Sequence, residues 1–283
     1  MNVECEEFNS SYCRTESFTF TISKMQQVKS QITLTVLGSG TSQGVPVIAC
    51  DCAVCSSSDS NDKRLRSSVL FSRNGRNVAI DAGPDFRQQM LRAKVETLDA
   101  VVFTHEHKDH TAGLDDVRAY NFKQGIDMPV YGNENVSTTL RRDFHYAFRE
   151  IKYPGVPQLN FRSIEGQFEI GEMTIIPIQV WHHKLPVYGF RVGDITYITD
   201  ANRIDDGEVE KMIGSKILII NALRKEKHIS HFNIDEAIEM ARRVGAEKTY
   251  FTHISHLMGK HEQIMNELPD GIELAFDGLQ VTA

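Results

Sequence analysis

The chain has no apolar run near the roughly 18 to 20 residues that a membrane span needs, so no membrane association is expected. Its first residues carry Glu4, Glu6 and Glu7 where a secretory signal needs positive charge, and the expected location is the cytoplasm. Base is in deficit as well: 31 Lys and Arg stand against 38 Asp and Glu, a net charge of -7. That is the wrong sign for life on a polyanion, and it disfavours a long nucleic-acid partner. Cysteine is scarce and odd in number, five in 283 residues, too few for a disulfide scaffold. A Walker A sequence is absent. The glycines of Gly38-Ser39-Gly40-Thr41-Ser42-Gln43-Gly44 miss the dinucleotide fingerprint because the third comes one residue late and no crossover helix follows. The stretch reads as a strand-end loop.

What is present is a chain with 41% hydrophobic residues, enough for a sizeable core, and 11 histidines concentrated in a few short segments. Residues 1–30 are polar, Ser/Thr-rich and without a sustained period, so they read as a disordered or peripheral extension, with Met25 as an alternative start. From Ile32 onward, ITLTVLG, SSVLFS and NVAIDAG read as strands opening an antiparallel sheet. DFRQQMLRAK reads as a helix, and LDAVVFTH as a buried strand that runs into His105. The second half repeats the plan with MTIIPIQV, VYGFRV, ITYIT, KILII and KTYFT, and it closes on IELAF and LQVT. Between them NIDEAIEMARRV forms a helix with Ile234, Ala237, Ile238 and Ala241 on one stripe, capped by Asn233 and Glu236 and stopped by Gly245. The whole predicts one α/β domain over residues 31–283, two mixed sheets face to face with helices outside, with a site where strand ends from both halves meet.

The segment His105-Glu106-His107-Lys108-Asp109-His110 packs three imidazoles and Asp109 into one tight loop after a buried strand. Two nearby metal ions suit it, with His105 and His107 pointing one way and Asp109 and His110 toward a second ion. Asp81, at the end of its own strand, is placed to orient one of these imidazoles. Of the neighbours His182 and His183 only one can face a metal, because adjacent side chains on an extended chain point to opposite sides. Cys50, Cys52 and Cys55 offer three thiolates, one short of a closed tetrahedral zinc site, with free thiols or a redox pair as the other readings. Cys5 and Cys13 are spare, and His145, His228 and His261 read as surface residues. Asp115, Asp116 and Arg118 either stand over the pocket, with Arg118 near a substrate phosphate, or form an exposed helix face, which is the preferred reading.

The HEHKDH segment is similar to the H-x-H-x-D-H signature of the metallo-β-lactamase fold hydrolases, whose fold is a four-layer αββα sandwich. In that family a later His, a metal-bridging Asp and a final His complete a dinuclear site, and the resemblance assigns these roles to His182, Asp200 and His253. His182-x-Lys184-Leu185, Tyr188-Gly189 and the closing text after THISH resemble the phosphoribosyl 1,2-cyclic phosphate phosphodiesterases, where the ligand His stands two residues before the Lys. That resemblance also implies a structural zinc completed by His256, three residues after His253. It further implies that His231, a non-ligand histidine, meets the scissile phosphate or the leaving oxygen. The likeness spans roughly Ile32 to Ala283.

The resulting expectation is a metal-dependent phosphodiesterase acting on a small, cyclic ribosyl or nucleotide phosphodiester. Two divalent ions lower the pKa of a bridging water, Asp109 and Asp200 hold and neutralise them, and His231 stabilises the leaving oxyanion or passes it a proton. Manganese is implied by the resemblance, while the mixed His/Asp shell also suits zinc or iron, and the thiolate cluster suits zinc. A tRNA 3′-processing nuclease, a glyoxalase-type thioester hydrolase and a non-catalytic metal binder are the alternatives, and a homodimer is compatible with all of them.

Overall fold

The computed structural model describes residues 31–151 and 153–283; the extension expected over residues 1–30 lies outside the described residues. The first sheet is built from β1 (Thr33–Gly38), β2 (Ser68–Arg73), β3 (Arg76–Ile80), β4 (Ala100–Val102), β5 (Met128–Gly132) and β6 (Leu159–Ser163). The second uses β7 (Phe168–Ile170), β8 (Met173–His182), β9 (Leu185–Val192), β10 (Ile195–Ile198), β11 (Ile217–Asn221), β12 (Lys248–Thr252) and β13 (Ile272–Leu274). A last strand, β14 (Gln280–Thr282), returns to pair with β1, so among the described residues each sheet has seven strands.

Each sheet is mixed in the same way. β1, β2 and β3 are antiparallel, and β3 through β6 run parallel. β7 through β10 are antiparallel, and β10 through β13 run parallel. Side-chain alternation sorts the residues into layers. Val69, Phe71, Val78 and Ile80 meet Phe190, Ile195, Tyr197 and Ile219 in the core between the sheets. Leu70, Ala79 and Val101 face the other way, under α1 (Phe86–Arg92), α3 (Arg118–Gln124) and α4 (Glu134–Asp143). Leu218, Ile220 and Phe251 lie under α6 (Ile234–Val244), which follows α2 (Lys108–Thr111) and α5 (Asp206–Glu210) in the chain. Strands covered on both faces read as continuous apolar runs, and each fully buried Leu, Ile or Phe contributes roughly 1.5–3 kcal/mol. The four-layer αββα sandwich expected from the sequence is what forms.

The α6 boundaries fall where the sequence placed them. Asn233 and Glu236 form a reciprocal capping box, and Gly245 closes the helix in the left-handed region at φ 69°. β5 and β6 had no counterpart in the sequence reading: β5 is five residues long and contains Pro129, while β6 sits at a sheet edge with exposed residues on alternate positions. They matter here because parallel β4 and β5 bring their C-terminal ends to one edge of the sandwich, where they face the ends of β10, β11 and β12.

Candidate functional site

Three strands end on residues that turn sharply out of the sheet. Asp81 after β3, Asp200 after β10 and His253 after β12 all have left-handed backbones, with φ of 68°, 54° and 56°. Such a conformation costs a non-glycine residue roughly 1–2 kcal/mol, and its recurrence at one edge marks a place where side-chain direction outweighs backbone comfort. Asp81 is fully buried, and its carboxylate accepts the Thr104 N–H (2.8 Å), the Thr104 hydroxyl (2.8 Å) and the Nδ1–H of His110 (2.6 Å). Thr104 Oγ1, having given its hydrogen to Asp81, accepts from Nδ1 of His105 at 2.9 Å. His182 gives its Nδ1–H to the carbonyl of Ser230 at 2.9 Å. In all three rings Nδ1 is the nitrogen hydrogen-bonded to the chain, so Nε2 is the one whose lone pair would ligate a cation.

Those lone pairs converge. Nε2 of His105 and of His110 are sealed from solvent without a hydrogen-bond partner, and with a carboxylate oxygen of Asp200 they lie within 4.8 Å of one another. A second set of the same span joins His182, Asp200 and His231. Asp200 is therefore the shared member. Its Oδ2 lies 3.2 Å from Nε2 of His110 and 3.2 Å from Nδ1 of His253, while Asp109 Oδ2 is also 3.2 Å from His110 Nε2. His107 completes the circle, with its ring 4.5 Å from His105 and 5.2 Å from His182. Buried imidazole nitrogens crowded against two carboxylates, with Nε2 of His105 left without a partner, are what a pair of divalent cations requires. The residues fit the group.

The charges follow from the same geometry. Burial opposes the charged form of His110, but Asp200, Asp81 and Asp109 outweigh it and hold its pKa well above the usual range. Burial pushes Asp109 up, yet His110 beside it keeps the carboxyl below its ordinary value. Asp200 is likewise held low against burial by His253 and His110. His105 and His253 are pushed down, first by burial. His231 is lowered to about 2 by burial and by His253, whose ring lies 4.7 Å away.

At the end of β8 the choice between neighbours is resolved by a tight turn. His182 pairs with Leu185 across the hairpin, and its ring packs against His107 and His231. His183 occupies the turn itself, exposed and left-handed at φ 57°, with its N–H given to Asn202 Oδ1. His183 faces away from the cluster.

The second predicted constellation also assembles. Nδ1 of His256 lies 3.3, 3.4 and 3.5 Å from the sulfurs of Cys50, Cys52 and Cys55. Backbone N–H groups of Cys55 and Val47 point at the sulfurs of Cys52 and Cys55. The Cys55 N–H and the His256 ring lower the Cys52 thiol to about 6, whereas burial raises Cys55 to about 11. Four soft and borderline donors within 4.8 Å of one another fit a tetrahedral zinc. His256 follows His253 by three residues, and Ile254 between them exchanges backbone bonds with Ser39 and Thr41, so one strand end holds both constellations.

Several expectations are corrected. His261 is not a surface residue: it is buried, accepts from Arg64 Nη2 at 3.0 Å and gives its N–H to Asp62 Oδ1 at 2.7 Å. The buried Arg64 guanidinium needs acceptors, and His261 supplies one. His228 is half-buried, and its ring stands 5.1 Å from that of His231. Two backbone donors at the start of α6 are taken within the chain: the N–H groups of Ile234 and Glu236 go to Arg224 O and Asn233 Oδ1. His145 is exposed, and Asp115 pairs with Arg118 and accepts the Tyr146 hydroxyl on the outer face, as a helix-face reading requires. Gly40-Thr41-Ser42-Gln43-Gly44 also spells the letters of a nucleophile elbow, G-x-S-x-G, but Ser42 is exposed and no helix follows it. Sequence reasoning missed Ser67 and Thr41, whose hydroxyls lie 3.0 and 3.2 Å from the two ring nitrogens of His253. It also missed Gly83, where a Cβ would lie 1.9 Å from the Asp109 carbonyl oxygen, so only glycine lets the histidine loop pack this closely.

A family model described as a β-lactamase superfamily domain matches residues 76–254. A protein named octanoyltransferase from Porphyromonas gingivalis is 39% identical over 249 residues, covering 87% of this chain and 50% of that one. A ribonuclease Z from Clostridium acetobutylicum is 25% identical over 213 residues, covering 70% of this chain and 66% of its own length. The chain thus spans about half of the first of these relatives. Among solved structures, a diphosphatase described as new and from the PhnP family superposes with a TM-score of 0.84 at 43% identity, covering 89% of this chain and 97% of that one. Zinc-bound PqqB from Methylobacterium extorquens shares the fold, with a TM-score of 0.68 at 19% identity over 88% of this chain and 99% of that one.

Proposed function

The chain belongs to the β-lactamase superfamily and, within it, to the PhnP family of phosphodiesterase-type hydrolases, and on that premise we propose that it hydrolyses a small cyclic ribosyl or nucleotide phosphodiester or diphosphate. His105, His107 and His182 would hold one divalent cation, Asp109, His110 and His253 a second, and Asp200 both. Manganese or zinc suits these mixed donors, and the thiolate set of Cys50, Cys52 and Cys55 with His256 suits a structural zinc. Bound there, the pair of cations would acidify water and neutralise phosphate charge at neutral pH.

What the chain itself contributes is order. Asp81, Thr104 and Ser230 hold the Nδ1 atoms of three imidazoles and so set the orientation of those rings. Without metal, His110 beside Asp109, and His253 and His110 beside Asp200, hold both carboxyls low against burial, and bound cations would take over that role. The observation that carries the phosphate reading is His231. Its Nδ1 is buried without a hydrogen-bond partner, 3.9 Å from Asp200 Oδ1, and its ring is packed between those of His182 and His253. Held neutral by burial, it serves as a hydrogen-bond donor to the departing oxygen, not as a stored imidazolium. A thioester, whose thiolate leaves easily, has no need of this group.

The Porphyromonas gingivalis relative is named for octanoyl transfer, but that name belongs to a protein of which this chain spans half. The ribonuclease Z relatives favour phosphodiester chemistry, and the net charge of -7 favours a small substrate over a long nucleic acid. The test is His231→Ala assayed on bis(p-nitrophenyl) phosphate. We expect unchanged metal content and a kcat lower by about 10²- to 10⁴-fold, the range for a positioned acid or base. Turnover near that of the native chain would remove the main reason for phosphate chemistry.

A further inference from the structure

The helical layer over the first sheet carries a cavity for which the histidine and aspartate site has no use. It lies between α1 and α3 and has a volume of about 680 Å³, within the size range of small-molecule pockets. Phe86, Met90 and Tyr120 form its floor and are almost fully buried, while Leu91 and Ala119 stand exposed along its walls. Along α3 the lining extends from Asp116 to Lys123, about 10 Å at the helical rise, so the cavity is a trough.

Its charge is opposite to that of the chain. Arg87, Lys94 and Lys123 line it against Glu96 and Asp116, three cations to two carboxylates, in a protein of net charge -7. The excess gathers at one end. Lys123 and Glu96 meet there at 3.5 Å, and Tyr120 gives its hydroxyl hydrogen to the Val95 carbonyl, which ties α3 to the turn after α1. Both members of the Lys123–Glu96 pair are more than half exposed, a contact that holds little energy against water, so Lys123 is free to turn to another anion. Lys94, in the same turn, has no carboxylate partner among the described residues.

Lys94 also stands where lysine is a poor choice for the backbone. Helix α1 closes with the Val95 N–H on the Met90 carbonyl at 3.1 Å and the Lys94 N–H on the Leu91 carbonyl at 3.2 Å, and Lys94 itself is left-handed at φ 52°. Glycine is the usual residue at such a helix stop, because it has no Cβ to strain. A lysine there gives up backbone stability and sets a cation at the end of an apolar trough.

We propose that the trough binds a medium-chain fatty acid, with its alkyl chain over Phe86, Met90 and Tyr120 and its carboxylate between Lys94 and Lys123. One carboxylate matches the excess of one positive charge. A small inorganic anion would leave the apolar floor uncovered, and a neutral or cationic amphiphile would leave both lysines unmatched. The floor supplies affinity through burial of the chain, and the lysines fix which end enters where.

The experiment is calorimetric titration of the full chain, with its metals as purified, with decanoate, octanoate and decyltrimethylammonium, each below its micelle concentration. We expect one decanoate per chain, octanoate weaker by about tenfold for the loss of two buried CH₂ groups, and no binding of the cationic amphiphile. Lys94→Gly is the most telling variant: glycine relieves the left-handed turn, so the melting temperature should rise while decanoate affinity falls by about tenfold, the scale of one charge-assisted hydrogen bond. Ala119→Trp, at an exposed position, fills the trough and should abolish binding. Leu91→Asp, also exposed, sets a carboxylate on the trough wall and should do the same if the tryptophan variant does not fold. Absence of saturable decanoate binding overturns the proposal, as does equal binding of decyltrimethylammonium, or unchanged decanoate affinity in Lys94→Gly. Sedimentation tests the rival occupant: a native dimer that binds no decanoate and is split by Ala119→Trp would give the trough to a second copy of the chain and overturn the fatty-acid site. None of these measurements depends on turnover.

Discussion

Asp81→Asn separates the orienting role of this residue from every other consequence of changing it. The substitution keeps size and shape, and the left-handed backbone at φ 68° suits asparagine at least as well as aspartate. What changes is the hydrogen-bond logic. The carboxylate accepts three donors in a fully buried position, two from Thr104 and one from His110. An amide has one oxygen, which must serve the Thr104 N–H, and its NH₂ then faces His110. To accept that NH₂, His110 must carry its hydrogen on Nε2, the atom 3.2 Å from Asp109 and Asp200 and the one a cation would need. Loss of the charge-assisted bond costs about 1.5–3 kcal/mol of stability. At roughly 2–4 °C per kcal/mol for a domain of this size, the melting temperature should fall by about 3–12 °C. Metal affinity should fall by about 10- to 100-fold, the usual cost of removing such a partner. Calorimetry on metal-loaded and metal-stripped protein, with metal content measured after dialysis against a weak chelator, reads both quantities. The loss must be larger in the loaded protein. Native metal affinity in the variant would refute the reasoning, because the ring would then not depend on Asp81 for its hydrogen.

Two further outcomes are expected. Cys52→Ser leaves two thiols beside His256, three of the four donors, so metal analysis after mild chelation should show zinc lost from that site together with a lowered melting temperature; unchanged zinc and stability would mean that the thiols are not a structural site. His261 has a pKa lowered by burial and by Arg64, so the unfolded chain binds its proton first, and the stability it contributes is present above the ordinary histidine pKa of about 6.5 and lost as pH falls below it. His261→Asn, which keeps an acceptor for Arg64 and cannot titrate, should flatten the decline in urea midpoint between pH 7.5 and 5.5, and an equally steep decline would place the titrating group elsewhere.

The parts of this molecule that could be read from its sequence are those where one physical demand acts alone. β11 is covered on both faces, so Ile217 to Ile220 form an unbroken apolar run, and such a run ending on a polar residue, here Asn221, marks a strand that delivers a side chain to an edge. The helix Ile234–Val244 carries its cap, its stripe and its stop in consecutive letters. His105 to His110 needed no fold to be noticed, whereas the joining of Cys50, Cys52 and Cys55 to His256 bridges some two hundred residues and followed only from the family resemblance. What could not be read is where two demands compete. His228 and His261 sit in polar text that looks like surface, yet one is half-buried with its ring tilted beside that of His231 and the other is drawn under by a buried guanidinium that must have an acceptor. Asp200 and His253 are the most instructive, because their roles rest on left-handed turns that no periodicity reports. Asp, Asn and His are, however, the non-glycine residues that enter that region most readily. An Asp or His directly after a buried strand is thus a signal in its own right, since the same short polar side chain that tolerates the turn is the one the site needs at its end.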